Sequence, residues 1–214
     1  MRRMWLFLCI ISLLLIIGGC GSKKQVVTTL PPEEVEEVGV AEEKIDPKFA
    51  ADQKVVKNIL AENHLGLGAR PTVVLVRKEG RTLSVFRGAT PIKSYPVVLG
   101  HNPRNDKLMQ GDKCTPEGIY RVVTKFPHHK WSKFILLDYP NTRNWLNFAE
   151  AKRRGKIPLT AQIGGEIGIH GTEDDLKNLL GENWTEGCVA LTNKHIRELY
   201  YLVEPGSLVI IKRK

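Results

Sequence analysis

The sequence predicts a mainly β domain with a few short helices, preceded by an export signal and a polar linker. From residue 72 onward, short apolar or alternating runs recur between turn residues, which is typical of β-strands. Four short segments carry helical periodicity instead. The chain has 214 residues, which is long enough for one substantial core after an N-terminal signal is removed.

The amino end predicts export and attachment to a membrane. Two arginines precede an apolar run over residues 4–17, and a Gly-Gly pair then leads to Cys20. A positively charged N-terminal region, a short apolar stretch and small residues at the cleavage site are typical of a secretory signal. The run is shorter than the roughly 20 residues that a transmembrane helix needs.

The ending Ile-Gly-Gly-Cys resembles a bacterial lipoprotein box. The resemblance implies a signal peptide over residues 1–20 and a lipid on Cys20, and an uncleaved anchor helix is the alternative. We therefore expect the protein in a bacterial cell envelope, anchored to a membrane and facing the periplasm or another extracytoplasmic space.

A polar segment separates the signal from the domain. Residues 21–44 contain six glutamates and a Pro-Pro pair without apolar periodicity, so we expect a flexible tether, with partial folding onto the domain as the alternative. Residues 45–70 are expected to form a helical lead-in, because Asp46 and Pro47 start a pattern with apolar residues on one face. The main domain is expected over residues 71–214.

Turn residues and apolar runs predict the order of elements in this domain. A Glu-Gly turn separates the first two strands, and a Thr-Pro-Glu-Gly turn precedes the fourth. Thr192 is the expected N-cap of the last helix. Strands are predicted over residues 72–76, 82–86, 91–99, 118–123, 134–137, 166–169 and 207–211, and helices over 46–63, 142–154, 173–180 and 192–203.

The charge balance bears on possible partners. The formal net charge is +9. Outside the cytoplasm, this charge favours anionic wall polymers or lipid head groups over nucleic acid as partners, and a basic surface that only aids solubility is an equal alternative.

Cys188 and His170 are the candidate catalytic pair. Cys188 follows Gly187 in the run Thr-Glu-Gly-Cys, and His170 precedes a glycine in Ile-His-Gly-Thr. A thiol acts as a nucleophile in its thiolate form, which a nearby imidazole can supply. The other cysteine of the main domain is Cys114, so a disulfide between Cys114 and Cys188 is an alternative. Neither cysteine has a C-x2-C partner, so their spacing does not indicate a zinc site, and we expect no metal site.

Three motifs over residues 72–212 resemble the L,D-transpeptidase catalytic domain family of the YkuD type. They are Gly-Asp-Lys-Cys-Thr-Pro-Glu-Gly-Ile-Tyr at residues 111–120, Ile-His-Gly-Thr at 169–172 and Thr-Glu-Gly-Cys-Val-Ala-Leu at 185–191. The resemblance implies a β-sandwich or barrel-like catalytic domain. It also implies acyl transfer on peptidoglycan stem peptides, without a metal or organic cofactor.

The resemblance assigns roles to the motif residues. Cys188 is the expected nucleophile and His170 its base. The amides of Gly187 and Cys188 are expected to hold the oxyanion, and Thr185 to orient His170, although Thr185 as a simple turn cap is an alternative. Substrate contacts are expected at Gly171, Thr172 and Trp184.

Two motif positions depart from the family pattern. Many members have His where Glu186 stands, and Arg or Asn where Ala190 stands. The substrate and the balance between transfer and hydrolysis are therefore open. The alternatives to a transpeptidase are an L,D-carboxypeptidase, an amidase that frees a wall-linked protein, and a non-catalytic wall-binding lipoprotein with its two domain cysteines bridged.

Overall fold

The structure, a computed structural model, describes residues 47–64 and 70–214. The expected signal peptide with Cys20 and the expected tether lie outside the described residues. Within the described ranges, none of the helices combines the length and the apolar character needed to span a bilayer.

Within the described residues, eight strands form one sheet, in the order β3-β2-β1-β8-β4-β5-β6-β7. The pairing is antiparallel except between β1 and β8 and between β6 and β7. The strands are β1 (Thr72–Arg77), β2 (Thr82–Arg87), β3 (Thr90–Pro96), β4 (Gly118–His128), β5 (Ser132–Leu137), β6 (Gly168–His170), β7 (Val189–Ala190) and β8 (Leu208–Lys212).

The long strand β4 joins the two halves of the sheet. Its first residues pair with β8, and its later residues pair with β5. The register shifts between Val122 and Thr124, and an irregularity of this kind bends a strand and increases its twist. The predicted mainly β fold with a few short helices is therefore confirmed, as a curled sheet that resembles half a barrel.

The described residues form four helices: α1 (Pro47–Glu62), α2 (Thr142–Arg153), α3 (Asp175–Leu179) and α4 (Asn193–Leu202). Helices α1 and α4 pack on the sheet. Polar side chains fix the starts of α2, α3 and α4, because Asn141, Asp174 and Thr192 accept hydrogen bonds from backbone amides of the first turn. The Thr192 cap agrees with the prediction, and all four helices lie within the predicted ranges.

Both faces of β1 are buried, which explains its continuous apolar run. Val73 and Leu75 pack with α1, while Val74 and Val76 face the larger core under α4. Helix α1 contributes Val56, which is fully buried, to the smaller core.

The main difference from the predicted elements lies near the active-site side of the sheet. β4 continues to His128, although the sequence indicated a strand only to residue 123. β6 is shorter than predicted and starts at Gly168, because Glu166 adopts a left-handed conformation with φ of 56° that a strand does not accommodate.

Candidate active site

The parallel pairing of β6 and β7 brings the two candidate catalytic residues together. Ile169 pairs with Val189 and His170 with Ala190, so Cys188 stands opposite Gly168. The Gly168 amide lies 3.4 Å from Cys188 Sγ, as this register requires. Side chains two residues apart on a strand share a face, so His170 and Cys188 point to the same side of the sheet.

The His170 ring has a defined tautomer. Nδ1 lies 2.7 Å from the carbonyl oxygen of Gly171, which accepts only if Nδ1 carries the proton. Nε2 is then an acceptor, as a base requires. Gly171 thus orients the imidazole, whereas the predicted orienting residue, Thr185, contacts other groups.

Three aromatic side chains surround the imidazole. Trp131 stacks on His170 with centroids 4.3 Å apart, and Phe134 lies nearly parallel to the ring at 5.5 Å. Trp184 meets it edge-on at 5.6 Å. His128 stacks on the far side of Trp131 at 4.4 Å. This packing leaves His170 only 1 % exposed.

Both members of the pair are neutral, although only His170 is fully buried and Cys188 is half-buried beside the cavity. Desolvation lowers the pKa of His170 to about 4, against a smaller opposing effect of the bond to Gly171. Desolvation also raises the pKa of the Cys188 thiol to about 11, although the Gly168 amide and the Lys107 ammonium act in the opposite direction. At neutral pH the pair is therefore a thiol and an uncharged imidazole.

Both cysteines of the described domain are free thiols. Cys188 Sγ lies 3.6 Å from the carbonyl oxygen of Glu166, whereas Cys114 Sγ donates to the Asp112 carbonyl at 3.3 Å. Cys114 is buried, and the pKa of its thiol is raised to about 11, chiefly by desolvation. The structure thus contains the reduced form and not the bridged form that the sequence left open.

Thr185 shapes the turn before the nucleophile. Its hydroxyl donates to the Cys188 carbonyl at 2.7 Å and accepts from the Gly187 amide at 3.2 Å. The prediction that it orients His170 is therefore corrected, and the alternative of a turn cap describes its contacts. The backbone amide of Gly187 donates to the Thr185 hydroxyl and is therefore not free to bind an oxyanion. Of the two amides predicted for that role, only that of Cys188 remains.

Gly187 is needed at its position for steric reasons. Its φ of 142° is unusual for other residues, and a Cβ there would lie 2.7 Å from the Cys114 carbonyl oxygen. The glycine thus allows the nucleophile turn to pack directly on the segment that contains Cys114.

The structure also corrects two predicted substrate contacts. Gly171 and Thr172 are buried and do not line the cavity beside the catalytic pair. A Cβ on Gly171 would lie 2.4 Å from Asn193 Oδ1 and from the Trp131 carbonyl oxygen. The Thr172 hydroxyl bonds to the backbone of Asp174. These residues hold the chain after β6 against α4.

The Gly-Asp motif has a structural role beside the site. Asp112 accepts bonds from three backbone amides and, at 2.8 Å, from Lys107 Nζ. Burial acts to raise the pKa of Asp112, but the ammonium and the amides outweigh it, so the pKa is lowered. The charge of Lys107, whose side chain is 4 % exposed, is therefore largely compensated by Asp112.

A cavity of about 740 Å³ opens above Cys188 and His170. Trp184 lies in its wall, where the sequence placed it, and a contact with substrate stays a prediction. The aromatic and polar side chains that line the cavity include Lys107, Gln110, Phe126, His128, Trp131, Phe134, Glu166, Trp184 and Glu186. Glu186, at the exposed rim, has its carboxylate 3.5 Å from Lys113 Nζ.

Sequence reasoning assigned no role in the site to Phe134 or Glu166. Phe134 and His170 are paired residues of β5 and β6, a contact that the linear sequence does not reveal. In the described part of the chain, no three His, Cys, Asp or Glu side chains are grouped as metal ligands.

Comparison with known proteins adds a family assignment to this geometry. The family model of the YkuD L,D-transpeptidase catalytic domain matches residues 71–211. A YkuD protein of Bacillus licheniformis, to which L,D-transpeptidase activity has been ascribed, is 24% identical over 141 residues, which are 66% of each chain.

Two solved structures resemble the chain. The helical cell shape determining protein Pgp2 of Campylobacter jejuni has 21% identity and a TM-score of 0.51 over 76% of this chain and 55% of its own. Bd1075 of Bdellovibrio bacteriovorus has 27% identity and a TM-score of 0.48 over 68% of this chain and 48% of its own. The chain thus spans about half the length of these proteins.

The neutral pair predicts the pH dependence of thiol alkylation. The rate of iodoacetamide modification at Cys188 should rise with pH through pH 9 towards a midpoint near 11, because thiolate forms only as the thiol ionises. Mass spectrometry of the peptide that contains Cys188 measures this rate separately from Cys114. A rate that is already constant between pH 5 and 8 would indicate a thiolate–imidazolium pair and contradict this assignment.

Gly168→Ala should loosen the aromatic packing around His170. The new Cβ would lie 2.4 Å from Phe134 Cε1, so the ring must move and water gains access to the imidazole. We expect the pKa of His170, followed by NMR, to rise from about 4 towards its ordinary 6.5, with a loss of about 1–3 kcal/mol in the free energy of unfolding.

Gly80→Ala is the matched control for this variant. Its added Cβ would meet neighbours no closer than 3.5 Å, so the pKa of His170 and the stability should stay close to those of the wild type. If Gly168→Ala left the pKa of His170 at its wild-type value, the role of the Phe134 contact in desolvating the ring would be wrong.

Proposed function

Because the chain belongs to the YkuD family of L,D-transpeptidase catalytic domains, we propose that it transfers acyl groups on peptidoglycan stem peptides. The observation that carries the proposal is the catalytic pair. A thiol and a neutral imidazole, Cys188 and His170, share one face of the sheet and line the same cavity. A volume of about 740 Å³ suits a short peptide.

In the first half-reaction, the enzyme becomes acylated. The thiol turns from the Glu166 carbonyl towards His170 Nε2, which takes its proton as Cys188 Sγ attacks the carbonyl on the L-centre of a diamino acid. The Cys188 amide is the proposed donor to the oxyanion. His170 then protonates the amine of the leaving D-Ala, the C–N bond breaks, and a thioester remains.

The second half-reaction releases the product. An acceptor amine attacks the thioester carbon and passes a proton to His170, the C–S bond breaks, and the sulfur regains the proton. The product is a new amide. If water attacks in place of the amine, the product is a carboxylic acid, which is the reaction of the alternative carboxypeptidase.

The charges around the cavity favour an amine as acceptor. Asp112 compensates the Lys107 ammonium, and Lys113 is close to Glu186. The Glu166 carboxylate has no ion-pair partner within the described residues and lines the cavity beside the nucleophile. An unpaired carboxylate attracts an ammonium group, which supports transfer over hydrolysis.

The first test is acylation by a carbapenem, which resembles the acyl donor. Mass spectrometry of the intact protein should show one covalent adduct in the wild type and in Cys114→Ala, and none in Cys188→Ala. An adduct that persists in Cys188→Ala would sink the assignment of the nucleophile. Muropeptide analysis of a deletion strain then distinguishes the reactions, because lost cross-links indicate a transpeptidase and accumulated tetrapeptides indicate a carboxypeptidase.

A lipid anchor at Cys20 and a location in the cell envelope are part of the proposal. The support is the charged and apolar pattern of residues 1–20 and the polar segment 21–44. A tether of this length could extend to roughly 80 Å, which lets the domain search the wall beside its membrane. Cys20→Ala should move the protein from the membrane fraction, and unchanged membrane association would contradict lipidation at this residue.

A further inference from the structure

A second cavity adjoins the catalytic one and has no part in the mechanism above. It measures about 640 Å³ and lies between α2 and residues 161–166. We call it the Trp145 cleft, after the aromatic residue on its α2 side. The cleft shares Gln110 and the wall at residues 164–166 with the catalytic cavity, so the two cavities are direct neighbours.

The Trp145 ring packs against a buried aromatic residue and is open to solvent on its other side. The indole is 52% exposed, while Phe148 below it is 7% exposed and meets it edge-on at 5.9 Å. Phe148 belongs to a small core with Ile157 and Ile163. The start of α2 is fixed by Asn144, whose side chain donates to the Tyr120 hydroxyl at 3.0 Å.

Uncharged polar groups complete the lining. Gln110 and Gln162 both line the cleft. Their segments are joined by a hydrogen bond of 2.8 Å from the backbone N–H of Gln110 to the backbone carbonyl of Gln162. Among the described residues of the lining, Glu166 alone carries a charge. An open aromatic ring beside amide groups suits a ligand with apolar faces and a polar edge.

A pyranose ring has this form, with C–H groups on its faces and hydroxyl groups around its edge. A stem peptide suits the lining less well, because its carboxylates would face Glu166 without a cation in the lining. In a tetrapeptide stem that is attacked before its last residue, three residues, or about 10 Å, separate the attacked carbonyl from the glycan. The glycan of a bound donor therefore lies close to the catalytic cavity, which the Trp145 cleft adjoins.

We propose that the Trp145 cleft binds a sugar of the glycan strand that carries the attacked stem peptide. The Trp145 ring stacks on the pyranose, and the two glutamines bond to its hydroxyl and acetamido groups. This inference rests on the proposed function, because it assumes that the donor stem is attacked at Cys188. Sugar binding in the Trp145 cleft makes the enzyme selective for stem peptides that are still joined to glycan.

Two substrates that differ only in the sugar test the proposal. With Trp145→Ala, KM for a disaccharide-tetrapeptide should rise about tenfold, which corresponds to about 1.4 kcal/mol. KM for the free tetrapeptide and the rate of carbapenem acylation should stay at the wild-type values. Trp145→Phe should retain most of the preference for the disaccharide substrate, because an aromatic ring remains.

Tyr201→Ala is the matched control, because it removes an aromatic ring that is 77% exposed on α4 and outside both cavities. It should leave both KM values unchanged. If Trp145→Ala raises KM equally for the two substrates, the cleft binds peptide, and if it raises neither, the cleft binds no part of the donor. Either result overturns the proposal.

A binding measurement separates this proposal from the proposed function. Calorimetry of Cys188→Ala with peptide-free glycan strands should show binding that Cys188→Ala/Trp145→Ala lacks. If the wild type turns over neither substrate, the proposed function fails, but the calorimetry still decides about the cleft. Absence of glycan binding to Cys188→Ala would reject the glycan site.

Discussion

The active site depends on the pairing of two very short strands, β6 and β7. Neither is long enough to be stable alone, and both are held by neighbours: β5 pairs with β6, and Val98 bridges to Ala190. The register of this pairing sets the common face of Cys188 and His170. A slip of one residue would turn the imidazole to the opposite face of the sheet, so the register is as necessary as the catalytic residues themselves.

Burial decides the resting protonation of the pair. The aromatic packing that positions His170 also removes water from it, so the precise position of the base and its low pKa have the same cause. The thiol is likewise neutral at rest. In the proposed reaction, charge separation between sulfur and imidazole is therefore driven by bound substrate and by donors to the oxyanion, since catalysis requires interactions that strengthen in the transition state.

Local sequence signals predicted that Cys188 and His170 come together and that Thr192 caps the last helix, because a motif or a cap is defined by neighbouring residues. The contacts of Trp131 and Phe134 with His170 depend on strand pairing over more than 30 positions, which no local pattern encodes. Thr185 had two candidate roles, orienting His170 or capping its own turn, and only the folded turn distinguishes them. The extension of β4 followed from its partner β5 rather than from its own alternation.

The high pKa of Cys188 has a consequence for the durability of the enzyme. Peroxides and small disulfides react with the thiolate, and with a pKa of about 11 only about one Cys188 in ten thousand is ionised at pH 7. An ordinary cysteine is ionised to a few per cent. The small thiolate fraction of Cys188 therefore slows its reaction with oxidants relative to an ordinary cysteine. For the exported protein proposed above, this slow oxidation helps to keep the Cys188 thiol reduced between encounters with substrate.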